Sequence, residues 1–279
     1  MKKGYSFCSF GEGDDLRECM KACSDAGYDG VELVIRNSGE LTMKTTDTEM
    51  LAIKEMACDF NLDIVAVCSG VIWGYNLVSE DVKIREKAKE AIVRQLETAA
   101  ILGADSILTI PGFVKCDFAP PMPRVPYNIA YERSQEMLSS LIPLAKSCNV
   151  VMAVENIWNR FLLSPLEMGD FIDEIGSEHV GVYFDVGNII YIGFPEDWIY
   201  ILGKRIKKLH FCDFKMGGAS LSNFVDLLEG DVDYVKVMEA LKSIGYNDYA
   251  TLEMFPNYPM FPMHSIVSGK LAMDLIFEL

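Results

Sequence analysis

The chain has 279 residues, half of them apolar, and a formal net charge of −16 at pH 7. That length and apolar content can bury a large core, in one barrel-sized domain or two smaller ones, and no composition break, Gly/Ser linker or low-complexity stretch favours two. So acidic a surface repels phosphate backbones and anionic lipids, which argues against nucleic-acid and membrane partners.

In chain order, short apolar runs alternate with amphipathic stretches. Strands are predicted at residues 5–9, 30–34, 63–68, 106–110, 150–155, 180–185, 207–211 and 250–253. Between and after them, helices are predicted at 14–26, 46–60, 80–102, 127–148, 164–175, 195–202, 231–244 and 263–279. The helical pattern rests on apolar spacings of three and four, as in Ile92, Leu96, Ala99 and Leu102. Gly27, Gly103, Gly176, Gly203 and Gly245 stand where helices should end, and Asp14, Thr46, Ser79, Ser164 and Asp231 where they should begin. Eight βα units in succession predict a (β/α)8 TIM barrel, α/β in class, as a single domain over residues 1–279. No glycine-rich dinucleotide loop follows the first strand, which argues against a doubly wound open sheet. The first ten residues contain no signal-like apolar run, and no later run approaches the roughly 18 apolar residues of a membrane span, so the expected location is the cytoplasm.

Four of these strands end on a side chain able to bind a metal: VMAV before Glu155, VGVYF before Asp185, IKKL before His210 and ATL before Glu253. In a TIM barrel the chemistry gathers at the C-terminal ends of the strands. Three carboxylates buried at one barrel mouth need compensation, and a shared cation supplies it. Such an oxygen-rich set with one imidazole suits Mn²⁺, Mg²⁺ or Co²⁺, with Mn²⁺ the first expectation. Of the three histidines, His179 precedes its strand and is expected at the opposite, stability end, while His264 heads the last helix and is expected on the surface or in the core. The eight cysteines form no CxxC pair and are read as reduced packing residues, Cys212 included.

The segments VENIWNRF (154–161), FDVGN (184–188), KLHFCDFK (208–215) and TLEMF (251–255) resemble the xylose-isomerase-like TIM barrels. Within that superfamily they are most similar to the sugar-phosphate isomerase/epimerase group that includes ketose 3-epimerases. The resemblance implies an enzyme with Glu155, Asp185, His210 and Glu253 as metal ligands and Glu155 and Glu253 also as the acid/base pair. The implied reaction is isomerisation or epimerisation of a sugar, a sugar phosphate or a related polyol ketone through an enediolate that the cation stabilises. Arg160, Asn188, Asp213 and Lys215 match positions that contact substrate, and Glu32 one that orients the ligands. Departures accompany the match. Ketose 3-epimerases have one residue fewer between the ligand glutamate and the NRF segment, a further glutamate where this chain has Leu162, and a histidine where it has Asn188. A lyase or dehydratase acting on a keto-sugar or inosose, and a non-catalytic sugar-binding barrel, are the competing functions. An endonuclease IV-like role would need many more histidines.

Trp73, Phe113, Trp158 and Phe255 are placed to wall a pocket, and the proline-rich loop 111–126 is read as a lid or an oligomer contact. Its Lys115 and Arg124 are the cations there that could reach a phosphate, alongside the weak cradle at 215–218. A homo-oligomer is compatible with this reading.

Overall fold

The computed structural model describes residues 1–218, 220–254, 258, 261 and 263–279. Phe255, expected to wall the pocket, lies outside the described residues. In chain order the elements are β1 (Lys2–Ser6), α1 (Leu16–Ala26), β2 (Gly30–Ile35), α2 (Asp47–Asp59), β3 (Asp63–Ser69), α3 (Val82–Leu102), β4 (Ser106–Thr109) and α4 (Tyr127–Cys148). The second half contributes β5 (Val151–Glu155), α5 (Pro165–Ile175), β6 (Val180–Asp185), α6 (Gly187–Ile190), α7 (Pro195–Leu202) and β7 (Ile206–Phe211). A two-stranded hairpin of β8 (Asp213–Phe214) and β9 (Phe224–Val225) follows, then α8 (Tyr234–Ile244), β10 (Tyr249–Leu252) and α9 (His264–Phe277). Strands β1 to β7 and β10 close into a barrel with β10 between β7 and β1. Every neighbouring pair is parallel. No helix among the described residues is long and apolar enough to cross a membrane.

The expected elements are all present, and the differences have local causes. The first strand lies earlier than 5–9 because the Ser6 hydroxyl accepts a hydrogen bond from the Cys8 amide and turns residues Phe7–Ser9 into a 3-10 helix. Helix starts shift in the same way. Asp15, Asp81 and Asp233, rather than Asp14, Ser79 and Asp231, are the residues whose carboxylates accept from the first-turn amides. Thr46 and Ser164 cap as expected, Thr46 in a reciprocal capping box with Glu49. Gly27, Gly103, Gly176 and Gly245 are left-handed C-caps, whereas Gly203 starts a 3-10 turn with ψ −127.

Two register shifts shape the barrel. Opposite β2, strand β3 carries one extra residue, since Val31 pairs with Ile64 but Glu32 with Ala66. Opposite β6, strand β7 does the same, since Val182 pairs with Ile206 but Tyr183 with Lys208. Bulges of this kind re-aim the side chains beyond them. Each faces a glycine. A Cβ on Gly30 would stand 2.7 Å from the Asp63 carbonyl and 2.8 Å from Val65 Cγ2, and one on Gly181 would stand 2.4 Å from Lys207 Cγ.

Alternation along β7 then places Lys208 and His210 on one face, the inside of the barrel. Lys208 is buried, and its ammonium leaves through the floor to sit 3.0 Å from Asp105 and 2.7 Å from Asp248. His210 points the other way, into the mouth. His179 lies at the floor end as expected, its ring nitrogen 3.2 Å from the Val150 carbonyl.

Gly30→Ala should therefore lower the unfolding free energy by about 1–3 kcal/mol, because the obstructing atoms include backbone that cannot turn aside. Urea denaturation checks this; an unchanged midpoint would mean that the close approach of β2 and β3 is not tight.

Candidate metal centre and active-site cavity

Glu155 is the last residue of β5, Asp185 the last of β6, His210 the penultimate residue of β7, and Glu253 follows β10 directly. Because these strands are consecutive around the barrel, the four side chains meet at its mouth. One ligand atom from each lies within 4.8 Å of all the others. His210 Nδ1 is at the centre, 3.5 Å from Glu155, 3.9 Å from Asp185 and 3.4 Å from Glu253. It is buried and has no hydrogen-bond partner among the described residues.

The other ring nitrogen is firmly held. His210 Nε2 lies 3.0 Å from Glu32 Oε1, which also accepts from the Ser6 hydroxyl at 2.6 Å, while Glu32 Oε2 accepts from the Tyr183 hydroxyl at 2.6 Å. A protonated Nε2 donating to Glu32 leaves the Nδ1 lone pair facing three carboxylates, a strained arrangement that a divalent cation resolves. The donor set therefore fits a metal, with Glu155, Asp185, His210 and Glu253 as its holders.

The electrostatics support that fit. Burial pushes the Glu155 carboxyl up to about 7, although His210 pulls it down. Burial likewise holds Glu253 well above the ordinary carboxylate range and raises Asp185. Burial would lower His210, but the carboxylates of Glu253 and Glu32 outweigh it and hold the imidazole well above its usual value. Glu32 is buried as well, which would raise it, yet the His210 charge and the hydrogen bonds from His210, Ser6 and Tyr183 lower it to about 2. In the metal-free state the four-residue cluster thus keeps protons where a cation would otherwise stand.

Above the centre opens a cavity of about 470 Å³. Glu155, Glu253 and Asn188 reach it, and the opposite wall is largely apolar, with Val34, Leu108 and Ile110 from the early strands. Of the expected aromatics, Trp73 and Trp158 line the cavity, while Phe113 is buried outside its lining. The structure adds two rings that the residue pattern did not single out. Phe118, on the loop 111–126, stands 5.2 Å from Trp73, and Phe224, on β9, stands 5.6 Å from Trp158. Arg36 also borders the cavity, with its Nη2 donating to the carbonyls of Phe7 and Phe10 at 2.5 and 2.9 Å.

Residues 20–266 match the family described as xylose isomerase-like TIM barrel. The chain belongs to that family. An inosose isomerase of Bacillus velezensis is 23% identical over 265 residues, covering 92% of this chain and 90% of that protein. Two solved structures share the fold. A D-psicose 3-epimerase from Clostridium cellulolyticum H10, determined with D-tagatose, superposes with a TM-score of 0.80 at 19% identity, covering 100% of this chain and 99% of its own. The IOLI protein, determined with a zinc atom, gives a TM-score of 0.80 at 18% identity over 99% and 98%.

Within this xylose isomerase-like barrel the four residues matched to substrate contacts separate. Asn188 lines the cavity, and its amide nitrogen donates to the Asn156 carbonyl at 3.0 Å. Asp213 does not line it and anchors a loop. Its buried carboxylate accepts from the amides of Phe214, Leu228, Gly230 and Val232 at 2.9 to 3.1 Å, so its oxygens are already engaged. Arg160 is exposed and paired with Asp117 at 2.6 Å, and Lys215 is exposed beyond β8; neither lines the cavity. Lys115 and Arg124 stand outside the lining too, Lys115 donating to the Met122 carbonyl at 3.1 Å. Leu162, at the departure from the epimerases, is buried away from the cavity. His264 heads α9 with its ring 4.8 Å from that of Tyr258, also outside the lining. Cys212 does more than pack, since its thiol donates to Asp185 at 3.0 and 3.1 Å.

Two outcomes follow from this geometry. The raised Glu155 carboxyl contributes stability that is complete below its unfolded value and is lost as pH rises through about 7, and Glu253 and His210, raised in the same direction, contribute with the same sign. Metal-free protein should accordingly melt at a lower temperature at about pH 8 than at about pH 6, and added Mn²⁺ should raise the melting temperature more at the higher pH. A metal-induced shift that is equal at both values would count against the cluster as the binding site. For the anchor, Asp213→Ala should cost roughly 2–4 kcal/mol by stranding backbone donors, and Lys215→Ala at most about 0.5 kcal/mol, both read by urea denaturation.

Proposed function

We propose that the protein is a divalent-metal-dependent isomerase or epimerase of a sugar or sugar phosphate, working by proton transfer through an enediolate. The observation that carries this reading is which ligands face the cavity. Glu155 and Glu253 line it, whereas Asp185 and His210 lie beneath them and do not. The two outward carboxylates come from β5 and β10, with β6 and β7 between them, so they approach a bound molecule from different sides. The relatives named as epimerases and isomerases of ketoses and inososes agree with this class of chemistry.

When bound, the cation supplies positive charge beside a ketose carbonyl, where negative charge develops as the neighbouring carbon loses its proton. Mn²⁺ is the first choice for an oxygen-rich set, and the zinc in the similar IOLI structure shows a divalent ion on this fold. The remaining work belongs to the chain. One carboxylate takes the proton from the carbon, the electron pair enters the new C=C bond, and the carbonyl oxygen takes up the charge. The other carboxyl, in its acid form, returns a proton to the opposite face and inverts the centre; returning it to the former carbonyl carbon, while the neighbouring hydroxyl proton passes to the former carbonyl oxygen, isomerises the sugar instead. Burial raises both groups in the metal-free protein, so each can hold a proton as well as give one up. Val34, Leu108, Ile110 and Trp73 give the cavity an apolar wall against which the carbon skeleton of a sugar can pack.

Proton NMR in D₂O tests this with a panel of ketoses, ketose phosphates and inososes and added Mn²⁺. A substrate should show C–H to C–D exchange beside its carbonyl, and Glu155→Gln and Glu253→Gln should each slow turnover roughly 10²–10⁴-fold. Loss of water from an inosose would identify a dehydratase built on the same proton abstraction. Binding without exchange would leave a sugar-binding barrel, and full turnover in both variants would overturn the mechanism.

A further inference from the structure

Two cysteines far apart in sequence meet in the wall of the cavity. Cys8 lies in the 3-10 turn after β1 and Cys68 near the end of β3, and both are free thiols. Strand β2 runs between them and carries Glu32. The two sulfurs and a Glu32 oxygen all lie within 4.8 Å of one another, as a group separate from Glu155, Asp185, His210 and Glu253. Both cysteines line the same cavity as Glu155 and Glu253.

The chemistry of this second group differs from that of the first. Thiolates are soft donors that select Zn²⁺ or Cd²⁺ over Mn²⁺ or Mg²⁺. Two thiolates on a tetrahedral ion at about 2.3 Å each stand about 3.8 Å apart, a spacing compatible with sulfurs gathered within 4.8 Å. Glu32 provides a third donor, and the cavity leaves a fourth position open. Glu32 is also the residue that holds His210 Nε2 at 3.0 Å. A cation drawing on that carboxylate weakens its hold on the imidazole, and outer partners of this kind govern how well a ligand binds its metal.

We propose that Cys8, Cys68 and Glu32 form a second metal site, for one thiophilic divalent cation in the cavity wall, whose occupancy weakens cation binding at the carboxylate and histidine centre. On binding, the two thiol protons pass to solvent and no redox change is involved.

The full chain is titrated with Cd²⁺ and read by the ultraviolet charge-transfer absorption of cadmium thiolates, first without other metals. The band should saturate at one equivalent in the wild type and in Cys212→Ser, and be lost in Cys8→Ser/Cys68→Ser. Cys8→Ala/Cys68→Ala, checked by circular dichroism, separates loss of ligands from loss of fold. A band that survives in a folded double variant, or that disappears with Cys212→Ser, overturns the site. Mn²⁺ binding, followed by electron paramagnetic resonance, should then weaken about ten-fold when Cd²⁺ is present in the wild type and stay unchanged in the double variant. Equal Mn²⁺ affinity with and without Cd²⁺ overturns the coupling. Because the cadmium band needs no Mn²⁺, its outcome stands apart from the reading of the carboxylate centre.

Discussion

The contact between Glu32 and His210 is the constraint on which the mouth of this barrel depends. A fully buried imidazole has two nitrogens to satisfy, and Glu32 satisfies only one. By fixing Nε2, it fixes the ring plane and sends Nδ1 toward Glu155, Asp185 and Glu253. Glu32 is itself immobilised by the hydroxyls of Ser6 and Tyr183, from strands β1 and β6. Side chains on strands around the barrel are thereby tied to the orientation of one ring. The register shifts against β2 and β6 contribute, because Glu32 and Tyr183 are the first paired residues beyond them.

Polarity is divided sharply around the cavity. Glu155 from β5 and Glu253 after β10 bring carboxylates, while Val34 of β2, Leu108 of β4 and Ile110 just beyond it bring an apolar face, bordered by Arg36 after β2. In so apolar a setting a carboxylate has little water to stabilise it, so its protonation answers strongly to any nearby positive charge. That sensitivity separates Glu155, raised to about 7, from Glu32, lowered to about 2, although both are glutamates beside the same histidine. Burial raises both, but the His210 charge and the hydrogen bonds from His210, Ser6 and Tyr183 bring Glu32 down, while the carboxylates of Asp185 and Glu32 add to burial at Glu155.

The barrel and the cluster of Glu155, Asp185, His210 and Glu253 at its mouth were legible because they follow from local rules. Period and caps mark strands and helices, and a charged residue closing an apolar strand stands out whatever the rest of the chain does. Glu32 was recognisable as an orienting position only through resemblance, since nothing local says which of two oxygens meets a histidine 178 residues away. Asp213 shows a related limit of local reading. Its nearness to His210 in sequence suggested substrate, whereas its partners are backbone amides up to 19 residues ahead, which no side-chain motif records. Arg160 and Lys215 lie close to ligand residues in sequence and outside the cavity lining in space. Phe118 and Phe224 escaped notice because they arrive on a loop and a short hairpin whose paths depend on tertiary packing.

The Asp213 anchor separates two properties that a single strand would otherwise bind together. Upstream of it, β7 carries His210; downstream, the hairpin brings Phe224 and Leu221 to the rim of the cavity. Because one carboxylate gathers the amides at both ends of that excursion, the residues between β8 and β9 can change length or sequence while the barrel strand keeps its position. The rim is therefore mechanically separate from the cluster of Glu155, Asp185, His210 and Glu253, so that a change in what the cavity admits leaves the side chains beneath it in place.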